Sequence, residues 1–179
     1  RGGAEGALTR LATGLDRSFW EPRVVCLGPE GYFTRVLSDA GIPVVTLGGR
    51  GATSLPRVWR QLVREFKTFR PAIVQSFLFH ANVLGTLAAA RAKVPARLTG
   101  HRVSDRRSRW FGRIERQVDR WVTRRICVSQ GVADYLHREF GFDPARTEVI
   151  PNTLNPSDWQ VAPADLTQFG FGPNHSVLL

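Results

Sequence analysis

The sequence contains no methionine, only two cysteines and only two lysines, Lys67 and Lys93. The missing methionine, with a start at Arg1-Gly2-Gly3, reads as a chain trimmed at its front. Two cysteines exclude a disulfide scaffold, and no Cys/His cluster has the spacing of zinc ligands. Each sits in an apolar run, Cys26 in 24–27 and Cys127 in 126–128, as expected for two buried free thiols. Long hydrophobic runs are absent too. The stretch 83–90 is broken by Gly85 and Thr86 and falls far short of the ~20 residues a membrane-spanning helix needs. No signal-peptide pattern is visible.

What is present is an ordinary globular composition, 42% hydrophobic and 22% charged over 179 residues. That excludes a disordered tail, a collagen-like rod and a coiled coil. It is enough chain for one domain with a substantial core. The charge is less ordinary. The net charge is +10, and 23 of the 25 basic residues are arginines.

Short β-branched runs alternate with amphipathic stretches. Residues 3–15 have helical spacing of Ala4, Ala7, Leu8, Leu11, Ala12 and Leu15. Runs at 23–28, 43–47, 72–76, 96–99, 125–129 and 147–150 read as strands. Between them, 32–40, 55–69, 81–92, 109–121 and 131–140 read as helices. This alternation predicts an α/β fold, a Rossmann-like doubly wound parallel sheet. In that topology a Gly-rich loop follows the first, central strand. Here the chain opens on the loop, so the first strand is missing from the sequence. The expected boundaries are a domain over 1–152, a Pro/Asn/Asp-rich linker over 153–174, and the start of a truncated second domain at 175–179.

Glycines at the opening loop, Gly2 and Gly3, would let a phosphate approach a helix N-terminus. The string is not the dinucleotide fingerprint. From Gly100 through Arg125 nine arginines face only Asp105, Glu115 and Asp119. Arg102, Arg106, Arg109, Arg113, Arg116, Arg120 and Arg124 step by three or four. Where helical, they share one face, with Trp110, Phe111, Ile114, Val118 and Trp121 on another. The bland reading is a solvated basic face over packed apolar side chains. The functional one is a surface that attracts anionic lipid or diphosphate.

Five strings occur in order: GGAEGALTRLA at 2–12, RPAIVQSFLFHAN at 70–82, LTGHR at 98–102, RRICVSQGVADYL at 124–136 and VIPNTLNP at 149–156. Together they resemble the N-terminal, acceptor-side domain of GT-B-fold glycosyltransferases, and more narrowly family 4 of the retaining, nucleotide-sugar-dependent enzymes. The resemblance implies the N-terminal half of a GT-B fold. Its C-terminal partner would bind most of the donor through a paired-glutamate motif, no part of which can be placed here. It implies a hexosyltransferase acting in cell-envelope polysaccharide or glycolipid synthesis, with these 179 residues alone inactive. The partners would be a nucleotide sugar, a glycan or lipid acceptor and an anionic membrane surface, with no cofactor, metal or nucleic acid. The location would be cytoplasmic, peripheral at the membrane.

His101 matches the family's cleft histidine, implied to lie near the anomeric carbon, and is the catalytic candidate. Gly2 and Gly3 match the loop facing the donor phosphates. Ser76, His80, Asn82 and Arg102 are acceptor-side candidates, and Arg106, Arg109, Arg113 and Arg116 the membrane- or anion-binding face. Two departures stand out: Pro151-Asn152-Thr153 where relatives commonly have Pro-Asn-Gly, and Arg102 directly after His101. The alternatives are a sugar-nucleotide epimerase of related fold and a basic nucleic-acid-binding module. The latter lacks any recognised motif or aromatic stacking pattern on its basic face.

Overall fold

The computed structural model describes residues 2–102, 109–152, 160 and 165–172. Arg106, Thr153, most of the expected linker and the expected strand at 175–179 lie outside them. In chain order the elements are α1 (Gly3–Gly14), β1 (Val24–Cys26), α2 (Tyr32–Asp39), β2 (Val44–Thr46), α3 (Leu55–Phe69) and β3 (Ile73–Phe77). There follow α4 (Phe79–Arg91), β4 (Ala96–His101), α5 (Arg109–Val118), β5 (Arg124–Cys127), α6 (Gln130–Phe140) and β6 (Thr147–Val149).

Every strand pairing among the described residues is parallel. The strands form two ladders, β1-β2 and β3-β4-β5-β6. No described strand joins β1 to β3. One core nevertheless spans both ladders. Val25 and Val45 of the first and Val74 of the second pack with Val58, Leu62 and Phe66 of α3 and Ala88 and Ala89 of α4. Val24 and Val44, one residue earlier, pack instead with Ala12 of α1 and Leu37 of α2. Side chains alternate across a strand, so helices cover opposite faces of this ladder, as a doubly wound sheet requires.

Helix ends follow their sequences. Pro56 lies in the first turn of α3, and Arg70 closes it at φ 52°, its N–H bonding to Phe66 O, before Pro71. Ser129 was expected to end a strand. It instead caps α6, its Oγ accepting from Val132 N, and β5 stops at Cys127. Both cysteines are free, but only Cys127 is buried as expected; Cys26 is half-buried. Burial pushes the Cys127 thiol up to about 11.

The helix expected over 109–121 is α-helical only to Val118, with a 3-10 turn at Asp119–Trp121. Its inward face also differs from expectation. Trp110 and Ile114 were expected to pack on the sheet, but are 68% and 39% exposed. Val118 is buried as expected, and Gly112 is buried beside it. The cause is local: a Cβ on Gly112 would overlap the Phe140 ring of α6. Gly112 therefore lets the two helices touch and fixes the rotation of α5.

Candidate functional site

The C-terminal ends of β3 and β4 bring Ser76, Asn82 and His101 together. Ser76 ends up beside the start of α4 because Leu78 turns the chain at φ 71°, a left-handed value uncommon for a branched side chain. Gly100 makes the close strand approach feasible, since a Cβ there would lie 3.0 Å from Ser76 O.

Asn82 is 3% exposed, and its amide atoms are bonded within the protein. Its Oδ1 accepts from Ser76 Oγ at 3.0 Å. Its Nδ2 donates to Gly100 O at 3.3 Å and to Glu115 Oε1 at 2.9 Å. Ser76 Oγ is also within 3.2 Å of Leu98 O. The two residues expected to bind acceptor hydroxyls thus have inward-turned polar atoms that tie β3, α4, β4 and α5 together. His80 stands apart. It is exposed at the start of α4, edge-on to Phe79 at 5.2 Å. Phe79 in turn stacks on Phe111 of α5 at 4.1 Å.

His101 is the last residue of β4 rather than a loop residue beyond it, and is 8% exposed. Its Nε2 lies 3.2 Å from Thr99 Oγ1, and its Nδ1 lies 3.9 Å from Glu115 Oε2. Burial, and then the Arg125 charge, hold the ring down to about 4, so the imidazole is neutral around pH 7. Glu115 moves the opposite way. Burial pushes it up to about 7, against the Asn82 amide and Arg125. With Asn82, Thr99, Asp119 and Arg125, these two groups line a cavity of about 10 Å³.

Beneath the cavity lies a buried ion cluster. Arg125 is fully buried, paired through Nη2 with Asp119 Oδ1. Its Nη1 donates to Asp143 O at 3.1 Å and Thr147 Oγ1 at 3.0 Å, and its guanidinium lies 4.6 Å over the Phe142 ring. Asp119 also pairs with Arg146 and, at 3.3 Å, with Arg116. A buried cation beside His101 makes a second positive charge on the ring unfavourable.

Arg102 follows His101. Burial lowers it first, then the like charge of Arg10 on α1. Gly2 caps α1 and Gly3 opens it. The Glu5 carboxylate stands beside Gly2, where a Cβ would meet it. On α5, Arg109 pairs with Glu139 at 3.7 Å, and Arg113 lies 5.9 Å over Trp110. Arg109, Arg113 and Arg116 line a groove of about 300 Å³ with Gln117, Glu139 and Phe140. Among the described residues, no group of three or more His, Cys, Asp or Glu could hold a metal ion.

Glu115 and Arg125 went unnoticed in the sequence. The signal for Glu115 was its spacing: it lies three residues after Gly112 and three before Val118, on the face α5 buries.

The model for Glycosyltransferase Family 4 matches residues 1–158. No curated protein matches the sequence. Among solved structures, Anabaena Alr3699/HepE in complex with UDP-glucose is similar, with a TM-score of 0.77 and 20% identity over 94% of this chain. HepE in complex with UDP and glucose gives 0.73 and 21% over 94%. Acinetobacter baumannii MurG gives 0.60 and 16% over 87%. These likenesses share the fold, that of a GT-B N-terminal domain. The chain spans 45% of the HepE chain bound to UDP-glucose and 45% of MurG.

Proposed function

The chain belongs to glycosyltransferase family 4, and on that premise we propose that the complete protein transfers a sugar from a nucleotide sugar to a glycan or lipid acceptor. The sugar C1–O bond to the diphosphate breaks and a C1–O bond to an acceptor hydroxyl forms. The hydroxyl proton leaves with the diphosphate. The configuration at C1 is retained, and the product belongs to cell-envelope polysaccharide or glycolipid synthesis. This chain supplies the acceptor side, and its 179 residues alone do not turn over donor. The crystallised HepE complexes hold UDP, UDP-glucose, and UDP with glucose, which supports a uridine-linked donor as the first to test.

The observation that carries the reading is the neutral, buried His101 at the C-terminal end of β4. Ligands of open parallel sheets bind outside the carboxyl ends of the strands. A neutral imidazole there accepts or donates one hydrogen bond to a sugar hydroxyl. Gly2 and Gly3 at the start of α1 offer backbone N–H groups to the donor phosphates. The half-buried Arg102 and the exposed His80 are the remaining acceptor-side groups. No observation favours an epimerase or a nucleic-acid module. The test is transfer of labelled sugar from nucleotide sugars by the complete protein to extracted envelope acceptors, with the anomeric configuration read by NMR. Hydrolysis or epimerisation without transfer would contradict it.

Peripheral attachment to an anionic membrane on the cytoplasmic side is a second proposal. It rests on exposed Trp110 and Ile114 beside Arg109, Arg113 and Arg116 on one helix. No described helix is long and apolar enough to cross a membrane.

A further inference from the structure

Glu115 enters the site from α5, with a side chain 13% exposed. One carboxyl oxygen is fixed by Asn82 Nδ2 at 2.9 Å. The other lies 3.9 Å from Nδ1 of His101. That is too long for a direct hydrogen bond. The two groups share the cavity of about 10 Å³, the size of about one water, which Asn82 and Thr99 line with them. On the other side of the ring, Nε2 lies 3.2 Å from Thr99 Oγ1. A hydroxyl donates or accepts equally well. The imidazole therefore stands between one partner indifferent to its tautomer and one whose hydrogen-bonding role depends on its own proton.

We propose that Glu115 is a positioning residue: through the cavity it shares with His101, its carboxyl selects which ring nitrogen of His101 carries the proton. An ionised carboxylate only accepts. It draws the ring proton to Nδ1 and leaves Nε2 to accept from Thr99 Oγ1. A protonated carboxyl donates towards Nδ1, and the ring proton then sits on Nε2. Across the change the protein takes up one proton, held by Glu115, and the ring stays neutral. Nε2 thereby changes between acceptor and donor, towards Thr99 Oγ1 and towards any sugar hydroxyl that takes its place. The inference rests on the proposed place of His101 near the sugar for its consequence in the reaction, but not for the tautomer itself.

The surrounding charges leave the carboxyl as the group that titrates near neutrality. α4 contributes only the neutral Asn82 amide at this point. β5 contributes Arg125, which lowers both Glu115 and His101, and Cys127, a neutral thiol pushed up to about 11. Asp119, Arg116, Asp143 and Arg146 are committed to the ion cluster around Arg125. Burial places Glu115 at about 7 and His101 at about 4.

The test is ring-nitrogen NMR of the complete protein labelled with ¹⁵N-histidine, titrated through neutrality. The expected result is an exchange of the protonated nitrogen of His101 with a midpoint near 7, while the ring stays neutral. Glu115→Gln should abolish that transition, leaving one tautomer throughout. A single tautomer in the wild type, or a transition that survives Glu115→Gln, overturns the proposal. Should the variant not fold, the wild type decides alone: the Glu115 carboxyl carbon must titrate with the same midpoint as the ring, and separate midpoints overturn it. The titration needs neither donor nor acceptor. Its failure leaves the transferase reading standing, and a failure to transfer sugar leaves the tautomer result standing.

Discussion

Glu115 lies 3.9 Å from His101, and their protonation is pushed in opposite directions by the same burial. Burial favours the neutral form of each. It therefore favours a carboxyl with a proton and an imidazole without a second one.

The pair has a consequence for stability against pH. His101 is held down from 6.5 to about 4, so its contribution is complete above 6.5 and is lost as pH falls through about 4. Glu115 is raised from 4.5 to about 7, so its contribution is complete below 4.5 and is lost as pH rises through about 7. Between 4.5 and 6.5 the folded protein holds one proton on Glu115 and the unfolded chain one on His101. Their slopes cancel there. Glu115→Gln leaves the histidine term alone. Relative to wild type, it should lose about 1.4 kcal/mol of stability per pH unit as pH falls through that window. Urea denaturation at a series of pH values reads the difference; parallel curves would contradict it.

The contact between α5 and α6 predicts an unusual response to alanine. In an exposed helix, Gly→Ala gains up to ~1 kcal/mol. At Gly112 the new methyl overlaps the Phe140 ring, which is held by Tyr135 at 5.7 Å and Phe142 at 6.3 Å. Gly112→Ala should therefore cost about 1–3 kcal/mol. Adding Phe140→Leu should recover part of the loss, a coupling that a double-mutant cycle measures by urea unfolding.

Asp119 neutralises a fully buried guanidinium. Removing one partner of such a pair strands the other charge. Asp119→Asn should cost about 3–5 kcal/mol, and Asp119→Leu with Arg125→Met should cost less than Asp119→Asn alone. Equilibrium unfolding of the two variants checks the order.

The basic helix predicts membrane binding with two components. Each basic residue brought to an anionic bilayer contributes about 1 kcal/mol and is screened by salt. Trp110, 68% exposed, adds an apolar part that salt does not remove. In vesicle co-sedimentation, replacing Arg109, Arg113 and Arg116 by Gln should reduce low-salt binding to the salt-resistant remainder, and Trp110→Ala should remove that remainder. Equal binding to neutral vesicles would contradict the electrostatic part.

Much of this architecture was legible in the sequence because periodicity reports burial. Val58, Leu62 and Phe66 recur at helical spacing and all lie in the core. The strands at 24–26, 44–46 and 147–149 were legible because β-branched runs there ended at Gly or Pro. The rotation of α5 was not. Trp110 and Ile114 look like core side chains by hydrophobicity, whereas the burial is set by a glycine meeting an aromatic ring from another helix. Glu115 was hidden for a related reason. Among nine arginines a lone glutamate looks like a compensating surface charge. Only the meeting of α4, β4 and α5 shows that it is buried. Ser76, Asn82 and His101 could be singled out one by one, but their mutual bonds depend on strand register, which the sequence pattern does not encode.

The central claim is that His101 acts beside the reacting sugar. It is tested most directly by steady-state sugar transfer with the complete protein and its His101→Ala variant, with donor varied at saturating acceptor. A contact made near the reacting carbon should lower kcat by more than it raises the donor KM. An unchanged kcat with a raised donor KM, in a variant that unfolds at the wild-type urea midpoint, would place His101 away from the chemistry and contradict the account.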